Sequence, residues 1–411
     1  MTRLSAFFVC GVALTSCAHA TTAPLLPPAP NVLSAIAPAA SGYKQLYSFS
    51  GNPRGSAPMS ALTPLAGALY GTTTGGGTKT FGTIFVRGSS GSVRVIYSFK
   101  GASDGATPDG KLLVLGGALY GTTEYGGAAG DGTVFRSSIT GSESIVYSFK
   151  SGSDGATPLL GGLVAIGGKL YGTTNAGGDG KCHVAHSTGC GVVFQLTTKG
   201  TERVLHRFGG KPDGAGPSGP LVADGTTLYG TTNFGGAHDS GTVYSMDTAG
   251  HEHVLYSFKG FPDGAQPYGG VTLLDGTLYG TTAFGGAYSY SGTIFSLSAS
   301  GVEHVLHSFT GYPDGAISYA SLTPINGVLY GATAYGGNDG PRCTGNGIAG
   351  CGTLFSIDTS AHERVIYRFK GEPDGANPWM SPAFTKNALY GTTLAGGASG
   401  DGTIFQLSGL P

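Results

Sequence analysis

The sequence has little charge and few recognisable chemical motifs. Asp, Glu, Lys and Arg make up only 11% of its 411 residues, the formal net charge is −1, and no run of basic residues occurs. Binding to a phosphate backbone requires clustered Lys and Arg, so the sequence predicts no nucleic-acid partner. Nucleophile-elbow, Walker and dinucleotide-binding motifs are also missing. No enzyme class follows from motifs alone.

Glycine is the residue in excess. The chain contains 76 glycines but a single tryptophan, and 40% of its residues are apolar, too many for a disordered chain. This composition is typical of many short strands joined by glycine turns.

One phrase, LYG followed in most copies by two threonines, occurs seven times. The spacings between copies are 50, 51, 58, 50, 51 and 60 residues, and the tyrosines of the copies are Tyr70, Tyr120, Tyr171, Tyr229, Tyr279, Tyr330 and Tyr390. Each unit holds four short apolar runs separated by turn residues, which predicts four antiparallel strands. Four strands, about 50 residues and seven units predict an all-β fold, a seven-bladed β-propeller.

The two ends of the repeat region complement each other. Residues 43–49, YKQLYSF, match the last strand of a unit, whereas the C-terminal unit stops at GTIFQLSGLP and lacks that strand. Pairing the N-terminal strand with the last three strands would close a ring. A β-solenoid is the alternative fold.

The N-terminus predicts export. Residues 1–20 resemble a signal peptide with an apolar core. LTSC at 14–17 resembles a lipoprotein box that would place a lipid anchor on Cys17, whereas AHA at 18–20 resembles an ordinary cleavage site. Residues 21–42 form a Pro/Ala-rich tether, and residues 43–411 form the propeller. We expect an outer-membrane lipoprotein at the cell surface or in the periplasm, attached to the membrane only through this N-terminal lipid.

The repeats resemble those of a known family, the bacterial GloVer tandem repeat proteins with a choice of anchor. The phrases LYGTT, GTIF or GTVF, VLYSF and DGAxP carry the resemblance over residues 43–411. It implies an exported, surface-anchored protein, with the lipoprotein-like N-terminus as the anchor, and it supplies no catalytic residues.

A propeller of this kind has one face rich in loops. The links between blades and the loops between second and third strands share that face, called here the top face, whereas the opposite face carries tight turns. The most regular polar residue of the links is the aspartate of DGAxP, with Arg54 in the seventh place: Asp104, Asp154, Asp213, Asp263, Asp314 and Asp374. We interpret these aspartates as structural turn residues. Calcium is the weaker alternative, since each loop offers one obvious carboxylate. No other metal or cofactor is predicted.

Departures from the repeat indicate the ligand site. After the proline of DGAxP, or its Ser318 replacement, the last three links carry Tyr268, Tyr319 and Trp379, and the loops add Phe234, Phe284 and Tyr335. Such a sector could form a stacking platform for a glycan or an anchor for a protein partner. The alternative is that these rings pack between blades.

Two other residue sets suggest chemistry. Asp109 and Glu124 in the second blade form a carboxylate pair that could act on a polysaccharide. Cys182 with Cys190 and Cys343 with Cys351 have the same spacing, which predicts two disulfides. A zinc site is the alternative for the first pair, because His183 and His186 lie between the two cysteines.

Three functions remain open at this stage. The first is a surface-anchored binding protein that recognises its ligand on the top face. The second is an exported hydrolase or lyase that acts on polysaccharide through Asp109 and Glu124. The third is a passive scaffold in the cell envelope. Sparse catalytic features favour the first.

Overall fold

The computed structural model describes residues 42–184, 187–288, 290–338, 343–345 and 347–410. Within these residues the chain forms seven antiparallel sheets of four strands each, the blades of a β-propeller. The seven-bladed prediction is therefore confirmed. Apart from strands and turns, the described part of the chain holds one short 3-10 turn, Gly152–Asp154.

Six blades are continuous in sequence and the seventh is composite. From the innermost to the outermost strand they are, for blade 1, Thr63–Leu65, Ala68–Thr73, Thr83–Arg87 and Val93–Ser98; for blade 2, Leu113–Leu115, Ala118–Thr123, Thr133–Ser137 and Glu143–Ser148; for blade 3, Val164–Ile166, Lys169–Thr174, Val192–Thr197 and Glu202–Arg207; for blade 4, Val222–Asp224, Thr227–Thr232, Thr242–Asp247 and Glu252–Ser257; for blade 5, Thr272–Leu274, Thr277–Thr282, Thr293–Leu297 and Glu303–Ser308; for blade 6, Thr323–Ile325, Val328–Thr333, Thr353–Asp358 and Glu363–Arg368; and for blade 7, Ala383–Thr385, Ala388–Thr393, Thr403–Ser408 and Gly42–Ser48.

The N-terminal strand closes the ring. Gly42–Ser48 pairs antiparallel with Thr403–Ser408, so the two ends of the described chain share blade 7. This is the pairing predicted from the complementary ends of the sequence. A solenoid would leave both terminal units unpaired, and the closed ring excludes it.

The glycine of LYG makes room for an aromatic ring. Gly121 pairs with Phe135 on the neighbouring strand, and a Cβ built on Gly121 would lie 2.6 Å from the tip of that ring. Equivalent glycines lie beside equivalent rings in the other blades, Tyr244 replacing Phe in blade 4. Glycine is therefore required here for close packing, and no positive φ is involved.

The threonines after LYG connect neighbouring strands and blades. The second threonine bonds across the blade, as in Thr123 to Thr133 at 2.8 Å. In four copies the first threonine donates to a carbonyl of the next blade near the axis, as in Thr231 to Gly269 at 3.1 Å. The hydroxyls in these examples are buried, and their hydrogen bonds connect strands within a blade and one blade to the next.

The core lies between the blades. A buried phenylalanine at the end of each outermost strand meets an aromatic ring of the third strand in the next blade, with centroids 5.1 to 5.4 Å apart and planes inclined by 61 to 71°. The pair Phe49 and Phe85 occupies the junction between blades 7 and 1 with the same geometry. Edge-to-face packing thus repeats around the whole ring.

Short two-stranded pairs complete the top face. They are His183–Val184 with Ser187–Thr188, Gly214–Ala215 with Phe234–Gly235, Gly264–Ala265 with Phe284–Gly285, Thr344–Gly345 with Ile348–Ala349, and Gly375–Ala376 with Ala395–Gly396. Three of these pairs join a link to the loop of the following blade, so links and loops share one face as predicted.

Candidate recognition site at the propeller axis

Each aspartate of the DGAxP links binds two groups that precede it. Its carboxylate accepts a hydrogen bond from the backbone N–H four residues earlier, at 2.7 to 3.1 Å in the six links. It also contacts a tyrosine hydroxyl or a histidine Nε2 seven residues earlier, as in Tyr147 to Asp154 at 2.6 Å. The carboxylate therefore holds the turn against the end of the outermost strand.

A glutamate from the next blade completes five of these arrangements, which we call link clusters. The ring, aspartate and glutamate members are Tyr97, Asp104 and Glu143; Tyr147, Asp154 and Glu202; His206, Asp213 and Glu252; Tyr256, Asp263 and Glu303; and His307, Asp314 and Glu363. In the sixth link Tyr43 takes the glutamate position and stacks on Tyr367 at 3.9 Å. The glutamates recur in the sequence at the start of the outermost strand, a signal that sequence reasoning missed.

The seventh link departs from this pattern. Arg54 replaces the aspartate and Val93 replaces the glutamate, so Tyr47 has neither acidic neighbour. A surface cleft of about 570 Å³ lies here, lined by Tyr47, Pro53, Arg54, Thr78 and the strand Val93–Ser98. The blade 7 to blade 1 junction is thus open at its rim, although its aromatic core pair is intact.

Three link clusters predict a pH dependence of stability. Burial raises the pKa of Glu143, Glu202 and Glu303 to about 7, from an ordinary value of 4.5, and the neighbouring aspartates add to the shift. The fold therefore favours the protonated form. This stabilisation is fully present below about pH 4.5 and is lost as the pH rises through about 7.

Changing the three glutamates to glutamine should flatten this profile. The side chains are half-buried, so after solvent screening we expect each to contribute about 1 kcal/mol, or several degrees in Tm for the three together. Thermal unfolding of the wild type and of the E143Q/E202Q/E303Q variant between about pH 5 and about pH 8 measures the effect. Equal slopes for both proteins would contradict it.

Seven residues surround the axis at the top face, and we call them the axial ring. Each lies four positions before the innermost strand of its blade: Met59, Asp109, Leu160, Ser218, Tyr268, Tyr319 and Trp379. In the other links the axial-ring residue directly follows the proline of DGAxP or its replacement. The link before blade 3 has one extra residue, so Leu160 and not Leu159 lies in the axial ring. Contacts between neighbouring blades include Leu160 N–H to Asp109 at 2.9 Å and Ser218 Oγ to the carbonyl of Tyr268 at 3.3 Å.

Small residues directly below the axial ring let the blades approach each other. A Cβ on Gly219 would lie 2.2 Å from the backbone nitrogen of Gly270, and one on Gly269 would lie 2.5 Å from the carbonyl oxygen of Ala320. The axial ring therefore rests on a layer in which the backbones of consecutive blades touch.

Three predicted platform residues come together in the axial ring. Tyr268 meets Tyr319 at 5.2 Å in an edge-to-face contact, and Tyr319 meets Trp379 at 4.4 Å with planes inclined by 35°. Tyr319 is only 5% exposed, whereas Tyr268 and Trp379 are half-buried. Burial raises the pKa of Tyr268 to about 12, so its hydroxyl stays protonated. The trio is a contiguous aromatic cluster with Tyr319 as its packed middle.

The loop aromatics divide into two groups. Phe284 and Tyr335 pack against the same cluster as the trio, around Ala316 and Ile317. Phe234 belongs to a different cluster near the disulfide of Cys182 and Cys190. The structure therefore assembles five of the six predicted platform residues in one sector and places the sixth elsewhere.

Asp109 and Glu124 interact across the top of blade 2. Asp109 is 1% exposed, and its burial, together with the negative charge of Glu124, raises its pKa well above the ordinary value, against the opposing hydrogen bond from Leu160. Glu124 is half-buried and bonds to the hydroxyl of Tyr125, a residue that sequence reasoning did not single out. The buried site therefore favours the protonated form of Asp109.

The two cysteine pairs form disulfides, as predicted. Cys182 bonds to Cys190 with Cα atoms 4.9 Å apart, and Cys343 bonds to Cys351 with Cα atoms 5.0 Å apart. Both stabilise enlarged top loops, in blades 3 and 6. A disulfide leaves no thiolate for a metal, so the zinc alternative for the first pair fails. His186 and the side chain of His183 lie outside the described residues.

These features assign the protein to a structural class. It is a β-propeller built from tandem copies of one repeat, with loops and aromatic residues on one face. The chain belongs to the family of the Gloeobacter/Verrucomicrobia repeat, whose model matches residues 31–185 and 180–342. The resemblance noted in the sequence is thereby confirmed. This repeat is associated with exported proteins. No curated protein sequence matches the chain.

Solved structures of other proteins are similar to this chain. The chain is similar to a candidate 6-phosphogluconolactonase from Bacteroides uniformis, with a TM-score of 0.51 and 18% identity over 79% of this chain and 88% of that one. It is also similar to a gluconolactonase from Xanthomonas campestris, with a TM-score of 0.41 and 15% identity over 72% of this chain and 86% of that one. The likeness to the first of these structures concerns the fold alone. In the described part of the chain, no helix has the length and apolar character needed to span a membrane.

Proposed function

We propose that the protein is an exported binding protein that recognises a glycan on its axial ring. The observation that carries the proposal is the contact between Tyr268, Tyr319 and Trp379 on three consecutive blades. Aromatic rings bury large apolar area at little entropic cost, and the face of a single exposed ring suits the apolar face of a sugar. Tyr268 and Trp379 keep part of their surface accessible, so they are the contacting residues and Tyr319 supports them.

Co-sedimentation with a panel of bacterial and plant polysaccharides tests this proposal. The panel is applied to the wild-type protein and to Tyr268→Ala and Trp379→Ala variants, with Tyr312→Ala as the matched control. Tyr312 is 63% exposed on a top-face link but lies outside the axial ring. We expect each axial-ring variant to lose about tenfold or more in affinity and the control to bind like the wild type.

Other outcomes would favour a different function for the protein or a different role for the trio. Equal binding by all four proteins would show that the trio serves only packing between blades. Binding to no polysaccharide would favour a protein partner or a passive scaffold. Thermal unfolding of each variant establishes that a loss of binding is not a loss of fold.

A second candidate function rests on the raised pKa of Asp109 beside Glu124. Asp109 would be the general acid and Glu124 the second carboxyl group of the pair, as in glycoside cleavage. Release of reducing ends from the bound polysaccharide, lost in Asp109→Asn and in Glu124→Gln, would establish it. Binding without any product would leave the protein a receptor.

We further propose that Cys17 carries the lipid anchor and holds the protein at the outer membrane, facing the surface or the periplasm. The lipoprotein box at residues 14–17 supports this, and the Pro/Ala-rich residues 21–42 provide reach between membrane and propeller.

Replacing Cys17 with alanine should abolish lipidation. Because the acylated cysteine would be the mature N-terminus, labelled palmitate should enter the wild-type protein and not the variant, and the variant should leave the membrane fraction. Cleavage at AHA predicts a different result, in which neither protein is labelled and both are soluble after export.

A further inference from the structure

Two of the five complete link clusters contain histidine in place of tyrosine. His206 Nε2 lies 3.1 Å from Asp213 Oδ2, and His307 Nε2 lies 2.8 Å from Asp314 Oδ2. With Glu252 in the first cluster and Glu363 in the second, one potential ligand atom from each residue lies within 4.8 Å of the other two. One imidazole and two carboxylates are thereby gathered around one point in each cluster.

The tyrosine clusters show what the histidine changes. Tyr147 and Tyr256 donate their hydroxyl to the equivalent aspartates, and burial raises the pKa of both hydroxyls above the usual range. A protonated phenol is a donor to the carboxylate and a poor metal ligand. A neutral imidazole nitrogen is among the commonest ligands of divalent transition metals. The same scaffold thus acquires a coordinating atom in links 3 and 5.

The link 3 cluster also has unused acceptors. Asp213 receives both His206 and the backbone N–H of Gly209 on Oδ2, which leaves its buried Oδ1 without a hydrogen-bond partner. Asp263 of the tyrosine cluster uses its Oδ1 to accept from Gly264 at 2.6 Å. Glu252 likewise has a buried Oε1 without a partner, as do the glutamates of the other clusters. Buried carboxylate oxygens left unpaired are costly, and a cation would satisfy both.

The link 5 cluster is more fully satisfied. Asp314 receives the backbone N–H and the hydroxyl of Thr310 on Oδ1 and His307 on Oδ2. Only Glu363 keeps a buried oxygen without a partner there. The two clusters therefore offer the same residue types with different numbers of available oxygens.

We propose that the link 3 cluster binds a divalent transition metal ion such as Zn²⁺ through His206, Asp213 and Glu252. Three protein ligands of nitrogen and oxygen type match the donor set that Zn²⁺ takes with water in the fourth position. Ca²⁺ fits less well, because it prefers six to eight oxygens. The link 5 cluster is a second, weaker site for the same ion. The ion would tie the link after blade 3 to the outermost strand of blade 4.

Calorimetric titration of the metal-free full chain with Zn²⁺ tests the proposal, with Co²⁺ absorption as a second readout. We expect one tight equivalent in the wild type. His206→Tyr introduces the residue found at this position in the tyrosine clusters, so the variant should keep the fold. Its affinity for Zn²⁺ should fall about tenfold or more. Glu252→Gln should have the same effect on affinity. His307→Tyr should remove only a weaker equivalent.

His253→Tyr is the matched control. His253 is exposed next to Glu252 and is not a member of the cluster, so this variant should bind Zn²⁺ like the wild type. Zn²⁺ should also raise the Tm of the wild type and of the control, but raise it less in His206→Tyr. The proposal is overturned if the wild type takes up no Zn²⁺, or if His206→Tyr and Glu252→Gln both bind it as tightly as the wild type.

Discussion

Replacing Phe49 with alanine should lower the free energy of unfolding by about 3 to 5 kcal/mol, as truncation of a buried ring in a protein core does. Phe49 is 0% exposed and packs edge-to-face on Phe85 with centroids 5.1 Å apart. It follows the first strand of the propeller, and substitutions near the edge of a domain often cost little. In this chain it lies in the junction that closes the ring.

Phe149→Ala is the matched comparison. Phe149 occupies the equivalent place between blades 2 and 3, with its ring 5.2 Å from that of Phe194. Denaturant unfolding of both variants should give losses that agree within about 1 kcal/mol. A loss for Phe49→Ala well below that for Phe149→Ala would mean that the N-terminal strand is a loose addition and that the ring is not closed in solution.

Gly219→Ala should strongly destabilise the propeller. The added Cβ would lie 2.2 Å from the backbone nitrogen of Gly270 and 2.7 Å from its Cα, so no side-chain rotation can relieve the contact. The blades must move apart below the axial ring. We expect a loss of about 3 kcal/mol or more, at the upper end of what overpacking costs.

Gly225→Ala is the matched control. It shows what replacing a glycine costs where the added methyl group meets no other atom. Gly225 lies in a tight turn of the same blade with φ +57° and has open space around its would-be Cβ. Its substitution should cost about 1 kcal/mol, from backbone strain alone. Thermal unfolding of the two variants measures the difference, and equal losses would contradict close contact between the blades at the axis.

The fold was predictable because its information is local and repeated. LYG recurs in each unit, and two threonines follow it in most copies, so blade number and strand order follow from spacing. The turns confirm this reasoning: Ala66 and Gly67, for example, have φ of 49° and 80°, as a hairpin of this length requires. Ring closure followed from the incomplete units at the two ends.

The link clusters were not predictable from sequence. Asp104 and Glu143 are separated by about 40 residues, and only the packing of one blade on the next brings them together. The sequence indicated a turn role for Asp104 and gave no reason to single out Glu143. The placement of Leu160 was missed for a related reason, since an extra residue in that link is visible only once the innermost strand is located.

The candidate site was predicted in part, from departures from the repeat. Large rings at positions 268, 319 and 379 replace smaller residues of other units, and the structure places them in contact. Sequence could not show that Tyr319 would be the buried middle of the trio or that Phe234 would pack elsewhere, because both outcomes depend on how neighbouring blades are inclined.

Fluorescence of Trp379 tests recognition at the axial ring most directly. It is the only tryptophan of the chain, so its emission reports on this surface without a label. The measurement is a titration with oligosaccharides from the polysaccharide that the protein retains, with and without acrylamide as quencher. We predict a saturable change in the emission of Trp379 and protection of Trp379 from quenching. The titration should give the same Kd as calorimetry. Full binding by calorimetry with unchanged emission and unchanged quenching would place the glycan elsewhere and contradict the account.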